Sequence, residues 1–292
     1  MKKTLIVQAP AKINIALWVK HKRPDGFHEL GSIMQTISLA DTITIKEIGE
    51  PGIRIFCNNP EVPLDASNLV HRAATVFLDH FSIEPHLAIN IEKKIPVAAG
   101  LAGGSTDAAA VLSGLARLYD KSVTTPDIMN ISATIGSDVP FVVHGGLALA
   151  EGRGEKLSFY EPPRPPYAVV IAVPTGVSVS TRWAYENYQP GNNQAKEKAF
   201  EEVLQAYRRR DIDALKALIF NDLESVTLHR HPEVLRIKEL LASTGDGVAM
   251  MSGSGPSVFA LFNDRKHAMK AVKTLHGMAV NVFIEHITRK NA

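Results

Sequence analysis

The sequence predicts an α+β protein of two domains, residues 1–160 and 161–292. Strand signals dominate the first half, with helical spacing grouped behind them rather than alternating strand by strand. The later elements run β-α-β-β-α-β once the intervening helices count as one layer, which is the split-βαβ or ferredoxin-like pattern. Between the halves, Glu151-Gly152-Arg153-Gly154-Glu155 and then Pro162-Pro163-Arg164-Pro165-Pro166 interrupt the patterns. A proline run cannot join a helix or a central strand, so 151–166 is expected to be the connector.

The elements follow in order. Residues 12–19 alternate, with Ile13, Ile15, Leu17 and Val19 on one face and Lys12, Asn14, Ala16 and Trp18 on the other. That is a strand's period of two. Pro24-Asp25-Gly26 is a turn, because proline fixes φ and glycine permits positive φ. Residues 33–39 and 42–48 read as a hairpin or consecutive strands, 87–91 as another strand, and 139 onward as an apolar strand. Helices are expected at 68–80, 105–119 and 125–135. Beyond the connector come a strand at 167–173, helices near 195–210, 211–220 and 232–243, strands at 247–251 and 257–262, a helix at 264–276 and a strand at 279–287.

Composition narrows the function. Lys and Arg number 32 against 30 Asp and Glu, a net charge of +2. This lacks the basic excess of a nucleic-acid or membrane-surface binder, so neither partner is expected. A hydrophobic share of 45% with 21% charged residues fits an ordinary globular protein. The single cysteine, Cys57, excludes an internal disulfide and multi-cysteine metal clusters. The basic start Met1-Lys2-Lys3 resembles an export signal, but Leu5-Ile6-Val7 stops at Gln8, so no apolar export core follows. The expectation is an unexported, cytoplasmic protein.

The sharpest local feature is Pro96-Val97-Ala98-Ala99-Gly100-Leu101-Ala102-Gly103-Gly104-Ser105-Thr106, running into an alanine-rich helix. Small residues leave backbone N–H groups unobstructed, and a helix start adds unpaired donors and a positive dipole end, which together suit a di- or triphosphate. Ser105 and Thr106 offer hydroxyls to a phosphate or to magnesium. Taken alone, the segment reads equally as a tight turn with a hydroxyl cap. It is not a P-loop, since Gly104 stands where lysine should precede Ser105, and its glycine spacing misses the dinucleotide fingerprint. Met251-Ser252-Gly253-Ser254-Gly255-Pro256-Ser257 is a second glycine-rich turn, readable as a hairpin loop. Lys12 and Asn14 share a strand face where a lysine is ordinarily solvated. Asp138, in Gly136-Ser137-Asp138-Val139-Pro140-Phe141, is either a turn aspartate bonding its own backbone or a general base beside a phosphate site. His229 and His231 have no third ligand at a convincing spacing, so no metal pair is assigned to them.

Jointly, the early Pro10-Ala11-Lys12-Ile13-Asn14 strand, the 96–106 loop and the late Ser252-Gly253-Ser254-Gly255-Pro256 turn resemble the GHMP small-molecule kinase superfamily over almost the whole chain. The resemblance implies the two-domain GHMP kinase architecture, with an N-terminal ATP-binding domain. Asp25-Gly26-Phe27-His28 resembles the members that phosphorylate a cytidine diphosphate-linked methylerythritol in non-mevalonate isoprenoid synthesis. Members acting on homoserine, mevalonate or a sugar lack this element. A non-catalytic nucleotide sensor of the same fold would not need both Lys12 and Asp138.

The resemblance further implies that Asp138 takes the proton of the acceptor's C2 hydroxyl, with Lys12 and Asn14 beside it. It places the cytosine between Phe27 and Tyr185, with His28 bonding the base and Thr181 offering a hydroxyl to the substrate. ATP and magnesium are the implied cofactors, with the 96–106 loop around the phosphates and Ser105 at the metal. Three departures stand out: Phe27 where tyrosine is common, Ala102 where a further glycine is frequent, and Thr106-Asp107 in place of the usual Ser-Ser-Asn or Ser-Ser-Asp. Ala102 is tolerable there if its φ stays negative.

Overall fold

A computed structural model describes residues 3–120, 125–189 and 195–289. The first sheet is built on two long strands, β1 (Thr4–Lys22) and β2 (His28–Glu47), joined by the Pro24-Asp25-Gly26 turn and antiparallel along most of their length. The segments expected as separate strands at 33–39 and 42–48 form one element. β2 pairs with β1 on one side and serves different partners with its two halves on the other. Its second half meets β4 (His86–Glu92), which pairs in parallel with β3 (Gly52–Cys57), and α1 (Leu69–His80) crosses between those two strands.

α2 (Gly103–Leu118), α3 (Thr125–Ile135) and α4 (Val139–His144) follow, then β5 (Leu147–Gly152) and β6 (Lys156–Tyr160), of which β5 pairs with the first half of β2. The stretch after Asp138 is therefore a short helix, not the expected strand. Pro140 sits in its first turn, where a missing N–H is harmless. Residues 151–155 are likewise the turn of the β5–β6 hairpin and not part of a connector.

β7 (Ala168–Pro174) opens the second sheet. The helices α5 (Thr181–Asn187), α6 (Ala195–Arg209), α7 (Ile212–Leu218), α8 (Glu224–Arg230) and α9 (Pro232–Ala242) intervene before β8 (Gly247–Met251) and β9 (Val258–Phe262). α10 (Arg265–Val272) and β10 (Val280–His286) complete it. The order is β10-β7-β9-β8, with antiparallel neighbours, as a split-βαβ arrangement requires.

Three apolar clusters hold these layers. One lies between the first sheet and α1–α4, where α2 approaches closely because it presents Ala108, Ala109 and Gly114 to the sheet. A Cβ on Gly114 would stand 2.5 Å from Ile45 Cδ1. A second joins the two sheets, bringing Ile13, Ile15 and Ile37 against Val169, Ile171, Phe259 and Leu261. This is why both faces of β1 are buried between Ala11 and Val19, including the face expected to be polar. The third covers the outer face of the second sheet with α9 and α10. No described helix is long and apolar enough to cross a membrane.

Candidate active site

A cavity of about 1170 Å³ opens between the two halves, lined by β1, the 96–105 loop, the start of α4, the β5–β6 turn, α5 and the 253–254 turn. Lys12 and Asn14 point into it from β1. Lys12 is only 5% exposed, contrary to the solvated lysine expected at such a position. A buried ammonium needs partners, and this one donates to Asn14 Oδ1 at 2.7 Å and stands 3.6 Å from Asp138 Oδ2. The Asn14 amide donates to Ser32 Oγ (2.8 Å), and Ser32 donates to the Ala16 carbonyl (2.8 Å), so the carboxamide is oriented from behind. Ser32 had no separate motif; the only clue was a small hydroxyl within an apolar strand.

Asp138 occupies the position before α4, yet its carboxylate makes no cap bond to that helix. The turn-aspartate reading therefore fails, and the carboxylate faces Lys12. Tyr185 on α5 lies close enough for the Asp138 charge to act on it; burial, and then that charge, push its phenol well above the ordinary range. Its ring stands 5.5 Å from that of His28, whose pKa is lowered by burial and by Lys22. Phe27 is 53% exposed and has a different neighbour, the Arg153 guanidinium, 5.1 Å from the ring centroid. Thr181 Oγ1 lies 3.1 Å from Ser254 Oγ.

The 96–106 loop is held from both sides. Gly100 has φ +76°, and a Cβ there would stand 2.2 Å from the Ser252 carbonyl oxygen. Ser252 Oγ donates to the Gly100 carbonyl (3.0 Å), and the Ser257 N–H donates to that of Ala99 (3.3 Å). The second glycine-rich turn thus braces the first. Asn221, which no motif marked, fixes this brace by donating to the carbonyls of Met251 and Gly253, each at 2.8 Å.

Two expectations for the loop need correction. Ala102 has φ +59° rather than a negative value, because the chain must reverse there to start α2 two residues earlier than expected. Thr106 donates its hydroxyl hydrogen to the Pro10 carbonyl, tying α2 to β1, and it is buried and does not line the cavity, whereas the sequence places it among the phosphate-loop hydroxyls. Leu101 likewise turns its side chain into the core. Pro96, Val97, Ala98, Ala99, Gly100, Ala102, Gly103, Gly104 and Ser105 line the cavity. The first N–H groups of a helix have no intrahelical acceptors, and at α2 no side-chain cap takes their place.

Sequence reasoning also missed a buried ionic group across the base of this loop. Asp41 accepts the N–H groups of Lys94 (2.5 Å) and Ile95 (2.8 Å), while Lys93 Nζ binds Asp41 and, at 2.8 Å, Asp107. The other Asp107 oxygen is buried without a partner. Burial raises the Asp107 pKa to about 7; Lys93 opposes the shift and Asp41 adds to it.

Residues 68–146 match the GHMP kinases N terminal domain, and residues 199–278 match the GHMP kinases C terminal domain. A 4-diphosphocytidyl-2-C-methyl-D-erythritol kinase of a Geobacillus species is 43% identical over 97% of this chain and 96% of its own length. The chain belongs to the 4-diphosphocytidyl-2-C-methyl-D-erythritol kinase family. A relative with the same name from Gloeobacter violaceus is 44% identical over 94% of this chain and 91% of its own. Among solved structures, a 4-(cytidine 5'-diphospho)-2C-methyl-D-erythritol kinase superposes with a TM-score of 0.77 at 30% identity, covering 97% of this chain and 99% of that one. A homoserine kinase from Cytophaga hutchinsonii reaches 0.79 at 20% identity, covering 99% and 96%, a likeness of fold alone. The fold is thus common to kinases of unlike acceptors, and membership of this family rests on sequence identity.

Proposed function

We propose that the chain transfers the γ-phosphoryl group of ATP to the C2 hydroxyl of 4-diphosphocytidyl-2-C-methyl-D-erythritol. The observation that carries this is the approach of Lys12 to Asp138, 3.6 Å apart, in the cavity that also receives the uncapped start of α2. Phosphoryl transfer asks little covalent chemistry of a protein and depends on positioning and charge. The loop from Pro96 to Ser105 holds the ATP phosphates through backbone N–H groups. Asp138 accepts the acceptor's proton, and Lys12 offsets charge growing on the attacking oxygen. Asn14, held by Ser32, orients the same hydroxyl. Tyr185, His28 and Phe27 receive the cytosine, with Thr181 beside them at the substrate.

The residues present fit a magnesium ion carried on ATP. Ser105 lines the cavity, and its hydroxyl makes no hydrogen bond among the described residues. Magnesium prefers oxygen ligands and keeps phosphate oxygens and waters, so it needs little more from the chain. When bound it would neutralise charge on the phosphates. We place the domain boundary at residues 160/161, after β6, and the activity in the cytoplasm, where ATP is supplied.

The test is ADP release measured in parallel with the cytidyl substrate, homoserine, mevalonate and a hexose. Turnover with the first alone supports the reading. Preferred turnover with any other acceptor overturns it, and ATP binding without turnover on any acceptor would assign a sensor instead.

A further inference from the structure

We propose that Arg153 is a specificity-determining residue that binds the diphosphate bridge of the acceptor. This rests on the acceptor proposed above.

The β5–β6 turn is built to present one side chain. Gly152 and Gly154 flank Arg153 with φ of +74° and +110°. The carboxylate of Glu155 folds back under the turn, accepting the Arg153 N–H at 2.6 Å, and a Cβ on Gly152 would stand 2.6 Å from it. Side chains at Gly152 or Gly154 would be strained, so Arg153 is the one side chain that this part of the turn projects.

That arginine reaches into the cavity between the two ends of the acceptor. Its guanidinium lies over Phe27, at the cytosine end. The adjoining Gly154 stands against Ser137, with its Cβ position 3.9 Å from the Ser137 side chain and carbonyl, and Ser137 precedes Asp138 at the reacting end. In a 4-diphosphocytidyl polyol, the ribose and then the diphosphate lie between base and polyol, and of these only the diphosphate is anionic.

The other cations do not fill this role. Lys12 is engaged by Asn14 and Asp138, and Lys93 by Asp41 and Asp107. Lys22 and Arg182 are exposed at the rim. Arg153 is half-buried and pairs with no carboxylate among the described residues. A guanidinium suits this ligand, because its planar fork matches phosphate oxygens while its face rests on an aromatic ring. With the guanidinium on one face of Phe27, the base is left the other.

The experiment compares the full chain with Arg153→Ala and Arg153→Lys, reading steady-state kinetics and competitive inhibition by CDP and by cytidine. Arg153→Ala is expected to raise the KM of the cytidyl substrate and the inhibition constant of CDP by about ten- to a hundredfold, with the ATP KM and the cytidine constant within about twofold. Arg153→Lys, which keeps the charge, is expected to recover most of the CDP affinity. Unchanged CDP inhibition in both variants overturns the proposal. Equal weakening of CDP and cytidine also overturns it, since Arg153 would then act only through the Phe27 ring. Wild-type protein that fails to turn over the cytidyl substrate refutes the acceptor itself, a distinct outcome.

Discussion

Replacing Asp138 by asparagine keeps the side chain's shape and removes the charge 3.6 Å from Lys12 Nζ. Unit charges at that separation interact by about 1 kcal/mol at the dielectric of water and about 5 kcal/mol at an effective constant near 20. The pair lies between these limits, because the carboxylate is 35% exposed and the ammonium 6%. Lys12 keeps its bond to Asn14, so the fold should survive. Loss of a general base removes about 10²–10⁴ in rate, roughly 3–5 kcal/mol of barrier. Asp138→Asn is therefore expected to lower kcat at least about a hundredfold while leaving the ATP KM within about twofold, since among the described residues no hydrogen bond or ion pair joins the phosphate loop to Asp138. Coupled ADP-release kinetics and a thermal melt on the same sample decide this. A near-normal kcat would refute the base. An equal rise in both KM values with a lowered Tm would make the residue structural.

Tyr185→Ala should raise the KM for the cytidyl substrate by about ten- to a hundredfold, the size of one base–aromatic stack, and leave that for ATP unchanged; equal shifts in both constants would place the base elsewhere. Gly100→Ala should lose at least about 2 kcal/mol in a urea melt, from left-handed backbone strain and the collision with Ser252; an unchanged melt would contradict that contact. The Asp107 pKa is raised to about 7, so the folded state favours the protonated acid and loses stability as pH climbs from the ordinary carboxylate value towards 7. Asp107→Asn removes that loss, so its Tm advantage should grow between pH 5 and pH 8, and a difference that stays constant would refute the burial argument.

Much of this was legible locally. The alternation at 12–19, the small-residue loop before a helix and the late glycine turn are patterns within single segments, and each stands where expected. What escaped depends on distant neighbours. Lys12 read as solvated because its burial comes from the second sheet and from Asp138. Asp41 and Lys93 meet across 52 positions, which no period of two or 3.6 detects. Val139–His144 read as a strand because its valines and phenylalanine favour one, whereas packing against α2 makes it a helix. Gly152-Arg153-Gly154 read as a connector because glycines punctuate hairpins and linkers alike. Residue type favours a negative φ at Ala102, and the reversal into α2 overrides that preference.

The most direct test of the central claim, that Lys12 and Asp138 act on the C2 hydroxyl, is the position of the new phosphate. C2 of a 2-C-methyl polyol carries no hydrogen, so a phosphate there lacks the three-bond proton coupling of an ester at a primary or secondary carbon. Proton-coupled phosphorus NMR of the product from ATP and the cytidyl substrate should show one new monoester singlet, lost with Asp138→Asn. A monoester split into a doublet or triplet, or a singlet that Asp138→Asn forms at the wild-type rate, would contradict the account.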